Sequence, residues 1–243
     1  MTDLTPPERS RWGVIATWAQ VPLSAIPLLG GVAAATLAAA TQTVEGQRQA
    51  EFFDVVAASL EDLRQRGGFR WDDVAEDQAF LDAVLSASRI AATTSREEKL
   101  TALHNAVLHC ALPGAPGRDV QASFFQLIDE LTPMHLHMLS LLDDPGGWFD
   151  RNTDLVRPVP GPSSSRHQLI DGGMPELGAE LSDVRDRFFA DLVAAGLLVI
   201  DTLGGMMSGS SLFERVSSGY GRRFLAFIAD PFEAGLSDAG SLP

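Results

Sequence analysis

The side chains best suited to chemistry in this chain are five histidines and a single cysteine. His104, His109 and Cys110 fall on one helical stretch, and His135 and His137 on another. A helical metal pair needs i, i+3 or i, i+4 spacing, and His104 to His109 is i, i+5. Successive residues on a helix diverge by about 100°, so His109 cannot activate the neighbouring Cys110 thiol. His135 falls among Leu139 and Leu142, whereas His137 faces elsewhere, so a zinc site would require two helices to meet there. The run Gly204-Gly205-Met206-Met207-Ser208-Gly209-Ser210-Ser211 is rich in glycine. It lacks the lysine of a phosphate loop and no helix follows it directly, so it reads as a turn whose two methionines are a contact point. Asp72-Asp73 and Asp143-Asp144 suit helix ends and linkers, where carboxylates are favoured. No paired acid–base or nucleophile–base arrangement emerges. The expectation is a chain that is not an enzyme and needs no cofactor or metal.

The totals narrow the partner classes. The 243 residues are enough for one large domain or two small ones, and 45% are apolar, ample for a packed core. The lone Cys110 rules out an internal disulfide framework and fits a reducing cytoplasm. A formal net charge of −14 repels phosphates and anionic headgroups. Residues 1–11 contain acids and do not read as a signal-peptide start. From Trp12 to Val44 there is no charged residue, a length sufficient to cross a bilayer. Pro22, Pro27 and Gly30-Gly31 interrupt the stretch, and its second half is mostly alanine and threonine. Two readings stand: a helical hairpin buried on the rest of the protein, which the alanine content favours, or a membrane-active segment. In either, Trp18, Pro22, Pro27, Leu28 and Leu29 are its marked residues.

The elements that must position these groups are mostly helices. Phe52, Val55, Val56, Ser59, Leu60 and Leu63 recur at helical spacing and predict a long amphipathic helix ended by Gly67-Gly68. Phe80, Leu81, Val84, Leu85, Ser88 and Ala92 predict a second. Ser95-Arg96-Glu97-Glu98 has the form of a capping box opening a third, and Pro113 to Gly117 marks a boundary. A helix over about 120–131 follows, and Thr132-Pro133 opens the next as cap and first-turn proline. Residues 148–174 lack periodicity and read as a long loop. Ser182, Gly196, Tyr220 and Pro231 bound the last two helices. The expected organisation is a tail and uncharged apolar helical segment over 1–44, a helical domain over 45–117, a domain over 118–231 with a loop insertion at 146–174, and a disordered tail over 232–243.

Within the last hundred residues, helices at 134–142, 175–181 and 183–195 precede two apolar runs, Leu197 to Leu203 and Leu212 to Val216, and a closing helix. The junction Phe188-Phe189-Ala190-Asp191-Leu192-Val193-Ala194-Ala195-Gly196-Leu197-Leu198 and the exit Ser217-Ser218-Gly219-Tyr220-Gly221-Arg222-Arg223-Phe224-Leu225 resemble those of bacterial winged-helix proteins. The resemblance implies a mainly α fold whose second domain is winged-helix-like, with a short β-hairpin wing and 183–195 as recognition helix. Val184, Phe188, Leu192 and Ala195 form its apolar stripe. Asp183, Arg185, Asp186, Arg187, Ala190, Asp191 and Ala194 are left for the outside. Such a face opposes a phosphate lattice, since DNA affinity comes chiefly from cation contacts. The favoured use is therefore contact with protein, through Asp183, Asp186, Arg187, Asp191 and the Met206-Met207 tip. Arg222 and Arg223 remain phosphate candidates, and a winged-helix DNA-binding transcriptional regulator is the alternative.

A second resemblance spans the chain. The uncharged, Pro/Gly-interrupted N-terminal segment leads to Arg48-Gln49-Ala50-Glu51-Phe52-Phe53. Then come Thr94-Ser95-Arg96-Glu97-Glu98-Lys99-Leu100 and Phe125-Gln126-Leu127-Ile128-Asp129-Glu130-Leu131-Thr132-Pro133-Met134-His135-Leu136. This order resembles bacterial proteins of the abortive-infection alpha type. It implies a non-enzymatic, membrane-associated role in phage defence and supplies no site residues. The expected partners are a protein or a second copy of the chain, with a membrane engaged through 12–44 and nucleic acid disfavoured. The expected location is the cytoplasm, at the inner face of its membrane.

Overall fold

The computed structural model describes residues 44–161, 164–205 and 211–232. Trp18, Pro22, Pro27, Leu28 and Leu29 of the apolar segment, Met206 and Met207 of the tip, and residues 233–243 lie outside the described residues. The described chain is mainly α-helical and divides into two compact units, 44–130 with 227–232, and 131–226.

The first unit holds α1 (Val44–Gln65), α2 (Trp71–Val74), α3 (Gln78–Thr93), α4 (Glu97–Ala111) and α5 (Arg118–Glu130). The apolar spacing of α1 does what its period predicts: Phe52, Val55, Val56, Leu60 and Leu63 are buried. They pack with Phe80, Val84 and Ala87 of α3 and a nearly unbroken buried run from Ala102 to Leu108 on α4. Gly67 ends α1 with φ +78°, the left-handed conformation only glycine adopts without strain. Gly68 N–H then reaches the Leu63 carbonyl and Gly67 N–H that of Arg64, both at 2.9 Å, a Schellman motif. The expected capping box at Ser95 does not form. The Thr94 hydroxyl accepts the Arg96 amide instead, and α4 starts from Arg96 without a side-chain cap. Lys99 Nζ donates to the Asp129 carbonyl at 2.7 Å and so covers the end of α5.

The expected domain break at 113–117 falls inside this unit, and the division comes after Glu130. The reason is the apolar face of α5. Phe124 and Ile128 are fully buried, and Phe124 and Phe125 pack against Phe227, tilted and edge-on, at 5.1 and 5.7 Å between ring centroids. Phe232, expected to open a disordered tail, lies under the Arg66 guanidinium at 4.9 Å.

The second unit holds α6 (Pro133–Asp143), α7 (Pro145–Arg151), α8 (His167–Gly173), two 3-10 turns (Pro175–Leu177 and Ala179–Leu181), α9 (Ser182–Ala194) and α10 (Gly219–Ile228). The last two residues of α10 belong to the first unit. The loop expected over 146–174 contains nearly all of α7 and the whole of α8. Each is seven residues long, too short to persist alone. They are held by tertiary contacts: Trp148 Nε1 donates to the Gly173 carbonyl at 3.1 Å, and the missing Gly173 side chain leaves room for Leu141 and Phe149. The helix expected at 175–181 is the pair of 3-10 turns.

The expected β-hairpin wing is not present as strands among the described residues. The two apolar runs join through one antiparallel bridge, Leu198 with Ser217. Ser218 N–H donates to the Leu197 carbonyl at 2.8 Å and Val199 N–H to the Val216 carbonyl at 2.9 Å. Leu197, Leu198, Leu203, Leu212 and Val216 all point inward. Burying consecutive leucines breaks the period-2 alternation that a half-exposed strand needs. Gly196 (φ +71°) ends α9 in a second Schellman motif, with Leu197 N–H on the Leu192 carbonyl at 3.0 Å and both leucines buried.

No described helix is long and apolar enough to cross a membrane.

Candidate interaction surface

The outward face of α9 carries most of the residues singled out in the sequence. Its orientation differs from the expected one. The buried stripe is Arg185, Phe189 and Leu192, so the helix is turned by about one residue, and Val184, Phe188 and Ala195 are only half-buried. Arg185 causes the shift. Its side chain is 9% exposed, with Nη1 on Asp171 at 3.0 Å and Nε on Asp186 at 3.1 Å. Asp171 sits on α8, inside the segment that sequence alone leaves unstructured, so nothing in the sequence announces a partner for a buried arginine.

The other arginine of α9 is also engaged. Arg187 pairs with Asp191 one turn later, at 2.9 Å. Asp191 in turn lies 3.5 Å from His135 Nε2 on α6. His135 is buried, and its Nδ1 accepts the Thr132 backbone N–H at 3.1 Å. An acceptor at Nδ1 places the proton of the neutral ring on Nε2, facing Asp191. His135 therefore takes the place that glutamate holds in an ordinary capping box, closing the N-terminus of α6 reciprocally with Thr132. A scan for Glu or Gln at that position passes over it. Phe188 covers the ring at 4.4 Å between centroids.

The result is a helix face whose two cations are bound within the unit. Asp183 is exposed and Asp186 largely so, and Glu176 and Glu180 on the preceding turns are exposed as well. Arg222 and Arg223 stand elsewhere, on α10. Both are exposed and neither forms an ion pair among the described residues. Ser218 caps α10 by accepting the Gly221 amide at 2.9 Å and donates its own proton to the Gly196 carbonyl at 2.7 Å.

The residues with nucleophilic or metal-binding potential serve structure. Cys110 is buried, and burial pushes its thiol far above the ordinary range, which leaves it unreactive at neutral pH. His109 Nε2 donates to the Ala229 carbonyl at 3.1 Å, and Asn105 Nδ2 donates to the Ile228 carbonyl at 2.9 Å. These two side chains, one turn apart on α4, satisfy carbonyls left open where α10 ends. Burial holds the His109 imidazole below its ordinary value, against the opposing pull of the Ala229 carbonyl and Asp230. His104 Nδ1 lies 3.1 Å from Asn105 Oδ1, and His137 packs beside Trp148. Among the described residues no group of three His, Cys, Asp or Glu side chains is placed to hold a metal ion.

No protein-family model, curated protein or solved structure matches this chain.

Proposed function

We propose that this chain is a non-enzymatic interaction protein whose second unit is a reduced winged-helix-like module used for contact with protein. The order α6, α8, α9, bridged segment, α10 supports the kinship with winged helices, with the Leu198–Ser217 bridge, among the described residues, where a wing would stand. One observation carries the choice of partner. Arg185 is buried on Asp171 and Asp186, the exposed Arg187 is paired with Asp191, and the unpaired charge that the helix turns outward is acidic. A groove-reading helix needs free cations for phosphates and donors for base edges. The resemblance to abortive-infection alpha proteins sets this contact in bacterial phage defence, with residues 12–44 as the segment that engages a membrane.

Two experiments test the reading. In a low-salt gel shift with host genomic fragments, the full chain leaves every fragment unshifted. A specific shift would replace the reading with that of a DNA-binding regulator working through Arg222 and Arg223. In flotation with zwitterionic vesicles, the full chain rises with lipid and a chain lacking residues 12–44 does not. Equal behaviour of the two would remove the membrane from the account.

A further inference from the structure

We propose that the chain self-associates, with the exposed Arg222–Arg223 pair on α10 of one copy meeting Glu180 and Asp183, at the entry to α9, on a second copy. This rests on the protein-contact reading above and names the partner. Residues 131–226 contain eight arginines and twelve acids. Five of the eight, Arg151, Arg157, Arg185, Arg187 and Arg215, pair with carboxylates of the same unit. Arg166 is half-buried, and burial lowers its guanidinium from the ordinary value. Of the eight, only Arg222 and Arg223 are exposed without an ion pair among the described residues. Their adjacency on a helix spreads two charges over neighbouring faces of α10.

The acids left over in the same unit include Glu180 and Asp183, both exposed and without an ion pair among the described residues. One copy therefore presents two unmatched surfaces of opposite sign. A two-fold arrangement satisfies both at once, because each copy gives its arginine pair and receives the other's. Nucleic acid would match the arginines and leave the carboxylates facing phosphate.

Ionic strength separates this contact from the overall charge. At about 0.1 M salt the Debye length is about 10 Å, which screens the repulsion between two copies of net charge −14 but leaves touching pairs largely intact. At about 1 M it falls to roughly 3 Å and the touching pairs weaken. Sedimentation velocity of the full chain should show a dimer at the lower salt that loosens at the higher. The double variants Arg222→Glu/Arg223→Glu and Glu180→Arg/Asp183→Arg should each dissociate about tenfold more readily. Mixing the two should restore a heterodimer, since each reversed surface then meets its reversed complement. A monomer at both salts, or a dimer indifferent to both reversals, would overturn the proposal and leave protein contact standing. Duplex binding lost on Arg222→Glu/Arg223→Glu would overturn both.

Discussion

Gly221→Ala should destabilise the second unit, although the same change in an ordinary helix stabilises. Replacing glycine by alanine inside a helix gains about 1 kcal/mol from backbone entropy. Here a Cβ on Gly221 would stand 2.3 Å from the Leu197 carbonyl oxygen and 3.2 Å from its carbon. That oxygen cannot withdraw freely. It accepts the Ser218 amide at 2.8 Å, and Leu197 closes the Schellman motif of α9 with its side chain fully buried. Relief requires α10 to lift from Leu197, which strains the Leu198–Ser217 bridge. Overpacking costs about 1–3 kcal/mol, and a weakened backbone hydrogen bond adds about 1 kcal/mol. Against the helix gain, the net loss is about 1–3 kcal/mol, or a fall of roughly 3–10 °C in midpoint for a chain of this size. Thermal and urea unfolding of the full chain read this out. Gly219→Ala is the control, because nothing lies within 4 Å of its Cβ. It should leave the midpoint unchanged or raise it slightly. If Gly221→Ala is as stable as Gly219→Ala, the close approach of α10 to Leu197 is wrong.

Three further outcomes follow from the same geometry. Gly172→Ala places a Cβ 2.3 Å from the Val156 carbonyl, so residues 155–160 should lift from α8 and be cleaved faster in limited proteolysis. Arg185→Ala should cost about 1–3 kcal/mol in urea unfolding, below the range for a fully buried pair because Asp171 and Asp186 stay partly hydrated. His109 is held below its ordinary value of 6.5 in the folded chain, so between the two values the unfolded chain binds the extra proton. Its contribution is full above pH 6.5 and declines as pH falls toward the folded value. His109→Gln keeps a donor for Ala229 and should lose less stability than wild type when unfolding is compared at about pH 7 and about pH 5.5.

The helices with long apolar stripes were legible in the sequence because periodicity alone specifies them. Phe52 to Leu63 and Phe124 to Ile128 are buried as their spacing requires. Gly67, Gly196 and the Thr132-Pro133 pair mark ends because their backbone needs are local. What stayed hidden depends on partners distant in sequence. α7 and α8 exist through Trp148, Gly173 and Leu141, and no local pattern announces them. The rotation of α9 depends on Asp171, and the capping role of His135 depends on an imidazole standing in for a carboxylate. Leu197 to Leu203 reads as a strand because leucine and valine dominate it, yet among the described residues it meets the second apolar run at the Leu198–Ser217 bridge and forms no strand. The charge excess on α9 was legible, but the pairing that buries Arg185 and ties the exposed Arg187 to Asp191 was not.

With Arg185 buried and Arg187 tied to Asp191, α9 leaves only carboxylates unpaired on its outer face. Fluorescence anisotropy of a labelled random duplex, titrated with the full chain at low salt, tests it most directly. No saturable rise is expected for wild type, and none for Arg187→Ala. Saturable binding by wild type, weakened by Arg187→Ala and falling steeply with added salt, would contradict it.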